Sequence, residues 1–89
     1  MKAFKIIVHG KVQGVYFRQS TKAMAQQLHI TDWVQNNPDK TIEIFAEGNE
    51  DNIKTFIKWC HQGPPSARVL VVDAEEAALQ NFTSFSILR

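Results

Sequence analysis

The stretch Gly10-Lys11-Val12-Gln13-Gly14-Val15-Tyr16-Phe17-Arg18 holds the residues best suited to chemistry. A strand expected over Phe4–Lys11 runs into it, and a helix expected to begin near Arg18 or Gln19 leaves it. Two glycines bracket the turn, so the backbone can take dihedrals closed to other residues and a ligand can come close. The first turn of a helix offers amide donors with no intrahelical partner, a ready site for a small anion. Arg18 adds an always-charged, forked donor at the lip of the same turn. Together these features read as a cradle for an oxyanion or a phosphate. The stretch is not a P-loop, because no Gly-Lys-Ser/Thr closes it, and it lacks the three glycines of a dinucleotide fingerprint. A plainer reading, a connecting turn followed by a solvated arginine, stays open on spacing alone.

The elements that must position this turn follow from periodicity. Phe4, Ile6 and Val8 alternate with Lys5, Ile7 and His9, as in a strand with one buried face. Phe17, Thr21, Met24 and Leu28 then fall on one stripe of an amphipathic helix. Ile30–Asn36 and Thr41–Glu47 read as two strands joined by the turn Asn37-Pro38-Asp39-Lys40, with proline and aspartate at its central positions. Asn49 is placed to cap a second helix, whose Ile53, Phe56, Ile57 and Cys60 form an apolar face. Gly63-Pro64-Pro65 stops it.

Ala67–Asp73, rich in β-branched residues, predicts a strand buried on both faces or nearly so. Ala74–Asn81 reads as an acidic connector, and Phe82–Leu88 as a last short strand. The fold class is α+β: a ferredoxin-like split βαβ sandwich (β-α-β-β-α-β) with an extra C-terminal strand. The expected sheet is antiparallel and carries both helices on one face. Right-handed crossovers put the first and third strands at its centre.

The 89 residues make one domain, 1–89, and the formal charge of +1 supplies no field to recruit nucleic acid or an anionic membrane. Anion binding would therefore have to come from local geometry. Cys60 is the only cysteine, which excludes an internal disulfide and a thiolate metal cluster. His9, His29 and His61 lie on separate segments without metal-ligand spacing and read as ordinary surface or strand histidines, a site assembled only in space staying open. Met1-Lys2 leads straight into the first strand and no long apolar run occurs, so a cytoplasmic location is the expectation.

The motifs in order resemble the acylphosphatase family. Beside Gly10–Arg18 the likeness rests on Ala25-x-x-Leu28, Trp33-Val34-Gln35-Asn36, Gly48, Phe56-x-x-Trp59, Gly63-Pro64 and Ala67-x-Val69. The resemblance implies a metal-free enzyme, without cofactor, that hydrolyses acyl phosphates to a carboxylate and inorganic phosphate. It implies that the main chain of Val12, Gln13, Gly14, Val15, Tyr16, Phe17 and Arg18 holds the phosphoryl oxygens. Arg18 would clamp them, and Asn36 would orient the attacking water. Inorganic phosphate or sulfate would compete, and the enzyme would be a monomer with no nucleic-acid or membrane partner. A terminal carboxylate at Arg89 could also approach Arg18 and steady it.

Three departures stand out: His29, Asp32 and Lys40 occupy positions where the family usually has glycine. His29 follows the first helix, where a left-handed residue is often wanted, and Lys40 is the poorest fit if its turn needs positive φ. The alternative reading is a binding module, either an accessory anion-binding domain or an RNA-binding sheet. RNA binding would want exposed aromatics on adjacent strands and a basic surface.

Overall fold

Alternating apolar residues bury one face of β1 (Lys2–Lys11): Ile6 and Val8 are fully buried and Phe4 half-buried, while Lys5 is exposed. The computed structural model describes residues 1–89. After β1 come α1 (Phe17–Gln27), β2 (Thr31–Asn36), β3 (Ile42–Gly48), α2 (Glu50–Gln62), β4 (Arg68–Ala77) and β5 (Phe85–Ile87). The sheet order is β4-β1-β3-β2-β5, with β1 and β3 central as the crossover rule requires. Ile6, Val8, Val34, Ile42 and Ile44 pack in one core with Phe17 and Ala25 of α1 and Ile53, Phe56 and Cys60 of α2. Both helices therefore cover the same face. On the other face Trp33 stacks on its cross-strand partner Phe45, with ring centroids 6.0 Å apart.

The local signals hold at the residues that carry them. The Asn49 side chain accepts the Asp51 N–H at 2.9 Å and caps α2. Lys40 N–H donates to Asn37 C=O at 3.1 Å, closing the expected four-residue turn. Burial pushes the Cys60 thiol well above its ordinary range, which makes it an inert part of the core.

Three expectations are corrected. β4 is not buried on both faces: Leu70 and Val71 are 72 % and 51 % exposed. It is an edge strand bonded only to β1, and β-branched residues mark a strand without saying how many neighbours it has. It also continues to Ala77 through part of the supposed connector, with Asp73 against His9 at 3.1 Å and Glu76 against Lys2 at 3.2 Å. Finally, β5 is only Phe85–Ile87 and runs parallel to β2, so the sheet is mixed rather than antiparallel throughout.

The three residues standing where the family prefers glycine all have positive φ: 56° at His29, 110° at Asp32 and 78° at Lys40. Asp32 is also buried, as is Glu47. Glu47 accepts the N–H groups of Gln80 and Asn81, and Asp32 N–H donates to Ser84 C=O at 3.0 Å, so this corner holds the β4–β5 connector. Asp32 Oδ1 accepts from Thr31 Oγ1 at 3.0 Å, while Oδ2 meets no donor. Burial, followed by the neighbouring Glu47 carboxyl, pushes the Asp32 pKa up to about 7.

A carboxyl raised in this way keeps its proton in the folded state at pH values where the unfolded chain has lost it. Its contribution to stability is complete below the ordinary value of 3.8 and is lost as pH rises through about 7. Melts across this range should show Asp32→Gly gaining on the wild type as pH rises. A difference that stays constant or shrinks would contradict the assignment. Lys40→Gly should relieve about 1 kcal/mol of left-handed strain and raise Tm by roughly 4–8 °C. A lower Tm would refute it.

Candidate active site

Between β1 and α1 the chain crosses the end of the sheet on two buried anchors, Val12 and Val15. Gly14 lies between them at φ 74°, where a side chain would have open space but a strained backbone. Ser66 Oγ fastens this segment by donating to Val15 C=O at 2.9 Å. Tyr16 then takes a left-handed conformation, φ 63° and ψ 23°, and turns the chain into α1 with its own side chain exposed. Phe17 is fully buried beside Trp59, with ring centroids 5.6 Å apart. Gly63 meets it so closely that an added Cβ would lie 2.6 Å from Phe17 Cε2. The end of α2 thus fixes where α1 begins, one residue before the earliest start expected from sequence.

No side chain caps α1. Its first main-chain bond is Ser20 N–H to Tyr16 C=O at 3.0 Å, which leaves the amides of Phe17, Arg18 and Gln19 open at the positive end of the helix. They border a cavity of about 280 Å³ lined by Val12, Gly14, Tyr16, Phe17, Arg18, Gln19 and Asn36. No carboxylate lines it, and Arg18, half-buried, pairs with none elsewhere. Asn36, the last residue of β2, completes the lining, and its Oδ1 is buried without a donor. Such a space can hold a small anion against amides and a guanidinium, with the Asn36 carboxamide at its edge for a hydrogen bond to a polar molecule.

Most of the residues expected at the site converge there: Val12, Gly14, Tyr16, Phe17, Arg18 and Asn36 line one cavity. Two do not. The Val15 side chain belongs to the core, and the Gln13 side chain turns toward the 37–41 hairpin. Gln19 lines the cavity but was not expected to; the signal was its place beside Arg18 in the first helical turn. Arg89 does not pair with Arg18. Its main-chain oxygen instead accepts the Asn36 N–H at 2.7 Å, because β5 runs alongside β2. His9 lies against Asp73 on the open face of the sheet, away from the cavity. No three His, Cys, Asp or Glu side chains come together as a metal site.

Fold and cavity define a class: a small split βαβ domain with a cavity at the start of its first helix, lined by open amides and an unpaired arginine. A family model for acylphosphatases matches residues 4–87. An acylphosphatase of Acaryochloris marina is 47 % identical over 85 residues, covering 96 % of this chain and 91 % of that protein. One from Marinobacter nauticus is 49 % identical over 81 residues, covering 90 % and 88 %. The crystal structure of an acylphosphatase from Bacillus subtilis superposes with a TM-score of 0.97 at 34 % identity, covering all of both chains. The chain belongs to the acylphosphatase family.

If the cavity takes an anion, saturating inorganic phosphate should raise the Tm of the wild type by mass action and leave that of Arg18→Ala unchanged. An equal rise in both proteins would place the anion elsewhere.

Proposed function

We propose that the chain hydrolyses acyl phosphates by direct attack of water on phosphorus, with the phosphoryl group held by the Val12–Arg18 main chain and Arg18, and the water oriented by Asn36. One observation supports this reading: a single small cavity is lined both by a guanidinium without a counter-charge and by the carboxamide residue Asn36. A simple anion binder has no use for the second of these.

The chemistry explains why so few groups are needed. The acyl leaving group departs as a carboxylate, whose conjugate acid resembles a glutamic acid of pKa about 4.3, so no general acid is required. Water oxygen bonds to phosphorus as the bridging P–O bond breaks, and that electron pair leaves on the carboxylate. The water proton passes to a phosphate oxygen or to solvent. Asn36 is an amide and takes no proton; it fixes the direction from which water approaches. Amides and guanidinium neutralise the equatorial oxygens, which is most of what phosphoryl transfer asks of a protein. No helix here is long and apolar enough to cross a membrane. The setting proposed is a cytoplasmic monomer acting on a dissolved substrate, with phosphate and sulfate as competing anions.

Hydrolysis of benzoyl phosphate with EDTA present is the test. Asn36→Ala should lower kcat by about 10²-fold or more with a smaller change in KM, the pattern of a group acting on the nucleophile. Arg18→Ala should lose binding and turnover together. A normal kcat in Asn36→Ala would remove its role.

A further inference from the structure

We propose that the Gln13 side chain is a positioning residue for this hydrolysis, tying the anion cradle to the hairpin behind Asn36 and so setting the distance between phosphorus and water. The inference rests on the assignment of Asn36 as the residue that orients the water. Gln13 Nε2 donates to Asn37 C=O and to Thr41 C=O, each at 2.9 Å. A carboxamide nitrogen carries two hydrogens, and here each has its own acceptor. Both acceptors already close the turn: Asn37 C=O accepts Lys40 N–H at 3.1 Å, and Thr41 C=O accepts Asn37 N–H at 2.9 Å. The amide therefore fits the hairpin only in its closed form.

Its two ends belong to different halves of the site. Val12 and Gly14, on either side of Gln13, both line the cavity, and Asn37 directly follows Asn36. No other side-chain hydrogen bond joins the cradle to the hairpin. The Asp39 bonds to Thr41 N–H at 3.0 Å and Oγ1 at 2.6 Å, and the Asn37 Nδ2 bond to Thr41 Oγ1 at 3.1 Å, all stay within the turn. The β2–β3 ladder ends at the Asn36–Ile42 pair, and Gln13 is the side chain from outside the turn that bonds the tip beyond it. The tether matters because a displacement of about 1 Å in a reacting group can cost about 10²-fold in rate.

Gln13→Met keeps the length and removes both donors, Gln13→Glu sets an acceptor against two carbonyls, and Gln13→Asn keeps the amide but falls one methylene short. Each is to be assayed on benzoyl phosphate beside Asn36→Ala and the Gln13→Met/Asn36→Ala double variant. Phosphate inhibition constants and melting curves identify any variant that fails to fold. All three Gln13 variants should lose about tenfold or more in kcat while phosphate affinity stays within about twofold, because cradle and guanidinium remain. In the Asn36→Ala background Gln13→Met should cost little more, since both act through one water.

A wild-type kcat in folded Gln13→Met or Gln13→Asn, a full multiplicative loss in the double variant, or phosphate affinity falling in step with kcat would each overturn the inference. These outcomes differ from a failure of the underlying assignment, which would appear as a normal kcat in Asn36→Ala and would take the proposal with it.

Discussion

Arg18 stands in the first turn of a helix, half-buried, with no carboxylate beside it. A fixed positive charge at the positive end of a helix is unfavourable for the helix, and the fold does nothing to relieve it. Four of the chain's acidic residues are engaged elsewhere: Glu47 holds the β4–β5 connector, Asp39 the hairpin turn, and Asp73 and Glu76 the basic groups of β1. An acid near Arg18 would neutralise the charge and occupy the cavity. Leaving the charge open is what the proposed binding of a small anion by amides and guanidinium together requires.

The remainder of the structure holds that pocket still. Phe17 is locked between Trp59 and the end of α2 at Gly63, so the amides of the first turn have a fixed direction. β1 leads into the turn before α1 and β3 is the hairpin partner of β2; β1, β3 and β2 are each bonded on both sides in the sheet. Asn36 sits where the ladder ends, with Arg89 on its main chain and the turn beyond it. Catalysis by position needs rigid elements behind the reacting groups. In this chain the start of α1 is held through packing, and the end of β2 through hydrogen bonds.

Features set by neighbours along the chain could be read from the sequence. The glycine-bracketed turn before α1, the Asn37–Lys40 turn, the Asn49 cap and the stop at Gly63 each depend on a few adjacent residues, and all are present. Non-local features could not. Val69, Val71 and Val72 mark a strand equally well at a sheet's edge or its centre, so the exposure of β4 was hidden. The parallel pairing of β5, and with it the Arg89 contact to Asn36, depends on where the chain end falls. The burial of Asp32 beside Glu47 required knowing that the 80–84 connector lies over both. Nothing along the sequence showed that Gln13 and Thr41 would meet.

A crystal structure grown with sulfate tests the central claim most directly. The account predicts a tetrahedral anion bonded by main-chain amides of residues 12–18 and by the Arg18 guanidinium, with a water between it and the carboxamide of Asn36. A cradle without sulfate at saturating concentration, or sulfate bound there with Asn36 turned out of the cavity, would contradict it.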